Sequence, residues 1–96
     1  MEKIPAKKAG LHLRLYIAGN APNSVRAITN LKAICDEHFP SGCGLEIVDL
    51  LVHPQRALAD GIIVTPTLVR LSPLPVQRVI GTLSDTNQVF LALGVT

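Results

Sequence analysis

The chain has 96 residues, a formal net charge of +2, 48% hydrophobic residues and only 17% charged ones. This predicts a single folded domain over residues 1–96, argues against disorder, and leaves too little positive charge for nucleic-acid binding. No apolar run reaches the ~18 residues of a membrane span, and the lysines near the start have no apolar stretch behind them, as a secretory signal would require.

Residues 1–10, with Lys3, Pro5, Lys7, Lys8 and Gly10, are expected to be a flexible lead-in. Residues 11–17 then alternate, and Leu11, Leu13, Leu15 and Ile17 are predicted to face a core from one side of a strand. The segment from Gly19 to Ser24 breaks the alternation. A helix follows, with Pro22 suited to its first turn and a neighbouring asparagine placed to cap it. Val25, Ile28, Leu31, Ile34 and Cys35 form its apolar stripe, and Pro40, Gly42 and Gly44 end the segment.

Residues 45–51 read as a second strand, interrupted by Asp49, whose nearly continuous apolar character predicts a central place in the sheet. A short helix over 54–59 opens on Pro54 and is closed by Gly61. Residues 62–71 are β-prone but split by Pro66. That proline is expected to begin an edge strand or a tight turn, because it has no N–H for a ladder. Residues 72–75 form a turn, 76–80 a strand, and Gly81 closes it. Ser84 is predicted to cap a last helix running to about Leu93, with Val89, Phe90 and Leu93 on its buried side.

The predicted order is βαβαββα, an α/β fold with a mixed four-stranded sheet. Its first two strands are parallel across a helical crossover, and its last two form an antiparallel hairpin. This is the order of thioredoxin. The stretch from Val48-Asp49 through Ile63-Val64-Thr65-Pro66-Thr67-Leu68 resembles the centre of thioredoxins, which implies a cis-proline at Pro66; Gly81 fits the glycine after the fourth strand. Where thioredoxins carry two cysteines, this chain has Asn20-Ala21-Pro22-Asn23. Without a thiolate at the helix start and a second thiol to resolve a mixed disulfide, and with Cys35 far along the helix and Cys43 beyond its end, neither cysteine is expected to substitute and dithiol exchange is not expected of this chain. The two asparagines are expected to cap the helix or to form a recognition turn.

Cys35 and Cys43 have neither C-x-x-C nor zinc-motif spacing. They read as reduced thiols of a cytoplasmic protein, Cys35 being structural. His12, His38 and His53 are scattered singly, so no metal or other cofactor is expected. Asp36 and Glu37 are adjacent on a helix and do not face each other, and no glycine-rich phosphate loop occurs. The chain is read as a non-enzyme.

The run Tyr16-Ile17-Ala18-Gly19-Asn20-Ala21-Pro22-Asn23-Ser24-Val25-Arg26-Ala27 closely resembles the signature of the KaiB family of circadian clock proteins. Further matches are Val48-Asp49-Leu50, Pro54-Gln55, Thr65-Pro66-Thr67-Leu68, Pro73-Leu74-Pro75-Val76 and Ile80-Gly81-Thr82-Leu83-Ser84. The resemblance implies two folds. One is a resting homo-oligomer, dimer or tetramer, with a rearranged C-terminal half; the other is a thioredoxin-like monomer. The monomer binds the N-terminal ATPase ring of a KaiC-type partner, displaces the kinase SasA and captures KaiA.

By position, the resemblance assigns partner-facing roles to Arg26, Arg70 and Arg78, and to Glu46, which replaces a lysine that contributes to KaiA capture. Asn20, Pro22, Asn23, Pro66, Pro73 and Gly81 are its fold-defining positions. Ala92 and Gly94 replace a glycine and an aspartate typical of the clock proteins. Alanine favours helix over glycine by ~1 kcal/mol, which is expected to bias the chain toward the state with a helical last segment. These departures are compatible with a paralogue that acts in stress adaptation outside a circadian oscillator. A degenerate redox protein is the alternative from another class.

Overall fold

The computed structural model describes residues 11–40 and 42–94, so the lead-in expected for residues 1–10 lies outside the described residues. Its elements are β1 (His12–Ile17), α1 (Pro22–His38), β2 (Gly44–Asp49), α2 (Gln55–Asp60), β3 (Thr67–Ser72), β4 (Gln77–Ile80) and α3 (Thr86–Leu93). The sheet runs β2-β1-β3-β4. β1 and β2 are parallel, from His12 opposite Gly44 to Ile17 opposite Asp49. β3 is antiparallel both to β1 and to its hairpin partner β4.

The alternation of β1 divides the interior into two parts. Leu11, Leu13, Leu15 and Ile17 join Ala27, Leu31 and Ile34 of α1 and Val89 and Leu93 of α3 in the larger core. Tyr16 faces the other way and packs with Val48, Ile62 and Val69 in a smaller one. Leu15, Ala27, Leu31 and Val89 are fully buried. Aliphatic side chains thus fill the larger core, as a sequence with so few aromatic residues requires.

Three expectations are corrected. β2 is an edge strand, not a central one. Its apolar character comes from coverage of both faces, since Leu45 packs on the larger core and Val48 on the smaller. Residues 62–66 are not strand; the ladder begins at Thr67, and Pro66 stands in the turn before β3, which is an interior strand. The cap of the last helix is Asp85, not Ser84: its carboxylate accepts from the Gln88 N–H, and Ser84 lies one residue too early for that bond.

The Thr65–Pro66 peptide bond is cis, as the resemblance implies, and so are Ser72–Pro73 and Leu74–Pro75 in the hairpin turn. Ala92 lies inside α3, and Gly94 ends that helix in the left-handed conformation at φ 83°. Glycine adopts this cap without the penalty a Cβ would bring.

Candidate partner-binding surface

The register of the sheet brings four loops to one end. They follow β1 (residues 18–21), β2 (50–54) and β4 (81–85), and precede β3 (61–66). Asp49, the last residue of β2, ties two of them together. Its Oδ1 accepts hydrogen bonds from the Gly19 and Leu51 N–H groups, each at 2.9 Å. Gly19 has φ +58°, a left-handed conformation that glycine adopts without strain, and a Cβ there would come within 2.8 Å of Leu51 Cδ1 and push that exposed side chain aside.

Asn20, Ala21, Pro22 and Asn23 are all exposed at this corner. Neither asparagine caps α1. The cap residue is Ala21, with no side-chain cap bond. The turn is instead fastened from inside by Ser24, whose buried hydroxyl accepts from the Ala18 N–H at 3.0 Å. Pro22 occupies the first turn as expected.

An apolar surface adjoins the corner. Leu58 is 90% exposed and Ile63 97%. Both line a shallow depression of about 350 Å³ together with Pro54, Ala57, Gly61 and Ile62. Leu51, Val52 and Val64, on the neighbouring loops, are also exposed. Large aliphatic side chains left in water at such density mark a surface for association.

α2 buries none of its residues. Polar contacts fix its C-terminal end on the sheet. The Tyr16 hydroxyl donates to Asp60 Oδ2 at 2.6 Å, and Arg56 Nε donates to the same oxygen at 3.1 Å. Arg14 Nε pairs with Glu46 Oε1 at 2.7 Å, while its Nη1 lies 4.0 Å from Asp60 Oδ2. Arg78 completes the fastening by donating to the carbonyls of Gly61 and Asp60, at 3.0 and 3.2 Å. The hydroxyl donated by Tyr16, helped by Arg56 and Arg14, holds the Asp60 carboxyl below its ordinary range. Burial, then the bond to Asp60, pushes the Tyr16 phenol up.

Tyr16→Phe removes this shared proton and is expected to destabilise the chain by about 1–2 kcal/mol near neutral pH, as loss of a hydrogen bond to a charged group does. A lowered carboxyl stabilises the fold above the unfolded aspartate range, near pH ~4, and that contribution is lost as pH falls through the folded value. The raised phenol works in the opposite sense, stabilising below pH ~10 and losing that effect as pH rises through its folded value. The difference between wild type and variant in urea unfolding should therefore be largest between these limits and shrink beyond each of them.

The four residues assigned to partners are not brought together. Glu46 and Arg78 share one face of the sheet but lie on its opposite edge strands. Arg26 is exposed on α1. Arg70 is only 8% exposed, on the side of the larger core, and its Nη2 donates to the Pro75 carbonyl across the hairpin turn at 2.9 Å. Among the fold-defining positions, Gly81 lies beside Pro66, its N–H bonding the Pro66 carbonyl at 2.9 Å, and Pro73 lies in the hairpin turn.

The Tyr16–Asp60 pair and the Asp49 anchor are absent from the sequence reading. Arg56 and Asp60, four residues apart on a helix, are the one local signal for part of this network.

Cys35 and Cys43, read separately in the sequence, have their sulfurs 2.9 Å apart, at the end of the sheet away from this corner. The described residues hold no cluster of three or more groups suited to a metal ion, and no helix among them is long and apolar enough to cross a membrane.

A sequence profile described as the KaiB domain matches residues 14–95. The circadian clock oscillator protein KaiB of Synechococcus elongatus is 49% identical over 81 residues, covering 84% of this chain and 79% of the relative. The protein of the same name from Trichodesmium erythraeum is 46% identical over 89 residues, 93% of this chain and 85% of the relative. Among solved structures, the N-terminal domain of Synechococcus elongatus SasA superposes with a TM-score of 0.71 at 23% identity, covering 98% of this chain and 90% of that one. A thioredoxin of Malassezia sympodialis gives a TM-score of 0.71 at 20% identity, over 88% and 73%. These two likenesses establish the fold as thioredoxin-like.

Proposed function

The chain belongs to the KaiB family of circadian clock proteins, and from that membership we propose that it is a regulator that acts by binding and carries no catalytic step. Its partner in this reading is the N-terminal ATPase ring of a KaiC-type protein, whose ATPase or phosphorylation cycle it modulates. The observation that carries the reading is the corner itself. The position of the thioredoxin thiols is taken by Asn20 and Asn23, and the surface beside it presents Leu58 and Ile63 almost wholly to solvent. A site without a nucleophile but with unpaired aliphatic side chains is suited to docking.

Arg78 borders the same depression through Gly61, and we assign it to the polar rim of the interface. Arg26 is a second exposed contact on α1. Arg70 supports the hairpin from within. Glu46 is already paired with Arg14, so a role in capturing KaiA is supported less than one at the ring. Displacement of a SasA-type kinase from that ring is part of the same reading, supported by the thioredoxin-like fold that the chain shares with that kinase's N-terminal domain.

The test is co-elution of the purified chain with a KaiC-type ATPase ring on size exclusion, with ATP hydrolysis measured alongside. Complex formation and an altered hydrolysis rate are expected. A ring that neither binds the chain nor changes its rate overturns the reading.

A further inference from the structure

At the pole of the sheet opposite the docking corner, the chain holds two thiols in contact. Cys35 lies near the C-terminal end of α1 and is buried; Cys43 is partly exposed in the segment entering β2. Their sulfurs, 2.9 Å apart, form a thiol–thiol hydrogen bond. They need to close by only about 1 Å to reach disulfide bonding distance. Both cysteines line a surface depression of about 600 Å³, with Lys32, Asp36 and Phe39, so a small solute can reach the pair, Cys43 being the more exposed of the two.

We propose that Cys35 and Cys43 are a modification site for hydroperoxides, closing into a reversible intramolecular disulfide that joins the end of α1 to the start of β2. In the first step the Cys43 thiolate attacks the terminal oxygen of the hydroperoxide. The O–O bond breaks, the alkoxide leaves and takes up a proton, and Cys43 becomes a sulfenic acid. The Cys35 sulfur then attacks the Cys43 sulfur. The S–O bond breaks and hydroxide leaves, taking the Cys35 proton as water. Overall, two thiols are oxidised by two electrons, and one hydroperoxide is reduced to an alcohol and water. A small-molecule thiol restores the pair by exchange.

The order of attack follows from the site. In the thiol pair Cys43 Sγ donates to Cys35 Sγ; once Cys43 ionises, the Cys35 S–H donates back to it and holds that thiol below its usual range, while the same contact and burial push Cys35 up. The more exposed sulfur is therefore also the more nucleophilic one, and the buried sulfur resolves. The pair differs from a thioredoxin dithiol in position. It sits at the end of a helix, where the backbone carbonyls oppose negative charge, rather than at a helix start, where the N–H groups favour it. This placement suits an occasional structural closure better than rapid turnover.

The experiment is to treat the reduced 96-residue chain with hydrogen peroxide, alkylate it, and read intact mass and peptide maps. The folded protein is expected to lose two hydrogens, with both thiols blocked together in one chain, and to recover fully in dithiothreitol. Closure in the native state should be at least ~10-fold faster than for the same chain in denaturant, because the fold holds the sulfurs together. Cys35→Ser should stop at a sulfenic acid on Cys43 that dimedone traps, and Cys43→Ser should react more slowly than wild type. Independent addition of oxygen to each sulfur, cross-linking between chains, or closure no faster than in the unfolded chain would each overturn the proposal.

Discussion

Replacing Leu58 and Ile63 together by aspartate is expected to weaken binding to a KaiC-type ATPase ring by at least ~100-fold, with the fold unchanged. Side chains at the centre of an interface contribute about 1–3 kcal/mol each when truncated, and a buried unpaired carboxylate adds a further penalty. In the free chain both positions are almost entirely in water, so the substitution removes no core contact. A surface change of that kind alters stability by no more than ~0.5 kcal/mol. Leu74→Asp is the control. Leu74 is also well exposed, but it sits in the hairpin turn at the far end of the sheet and should leave binding unaltered. Titration calorimetry and circular dichroism on the three proteins decide the matter. Equal affinity for the double variant and wild type would place the interface elsewhere.

Asp49→Ala should have the largest effect on stability among the residues that build the corner. One carboxylate oxygen holds the Gly19 and Leu51 N–H groups together. Its removal leaves two loops without their common acceptor, at an expected loss of about 2–3 kcal/mol. For a chain of this length that corresponds to a fall of roughly 10–20 °C in Tm. Ring binding should weaken as well, because Leu51 is positioned by the same contact. Asp49→Asn keeps an oxygen in the same place and is expected to recover most of both losses. If asparagine proves as damaging as alanine in thermal melts, the shared-acceptor role is wrong.

Much of the architecture was legible because local pattern and tertiary demand coincide. The strict alternation of β1 and the stripe of α1 each describe one buried face, and those faces meet in the larger core. The place of β2 was misread for a physical reason. Apolar character records whether the faces of a strand are covered, whereas edge position records whether its backbone is paired, and in β2 the two diverge. In the last helix, Ser84 and Asp85 are both good caps. In the structure the Ser84 hydroxyl bonds Thr82 Oγ1 at 2.9 Å while the Asp85 carboxylate reaches the Gln88 N–H, and neighbouring residues do not reveal that division.

The docking corner was visible as a loss, asparagines in place of thiols, and invisible as a construction. Tyr16 and Asp60 are 44 residues apart, and nothing in a β-strand tyrosine announces its acceptor. The cysteine pair was hidden by the loop between α1 and β2, which returns the chain within eight residues to the place where the helix ends.

The two sides of the sheet differ in what they demand of the residues on them, and this bears on how such a chain diverges over evolution. One side is a closely filled aliphatic interior, where most replacements would leave a void or a clash. The other keeps its short helix through a handful of charges and one phenol, with the aliphatic side chains Leu58 and Ile63 outside that network. A duplicated copy can therefore exchange Leu58 and Ile63 freely and acquire a new binding target while inheriting its folding intact.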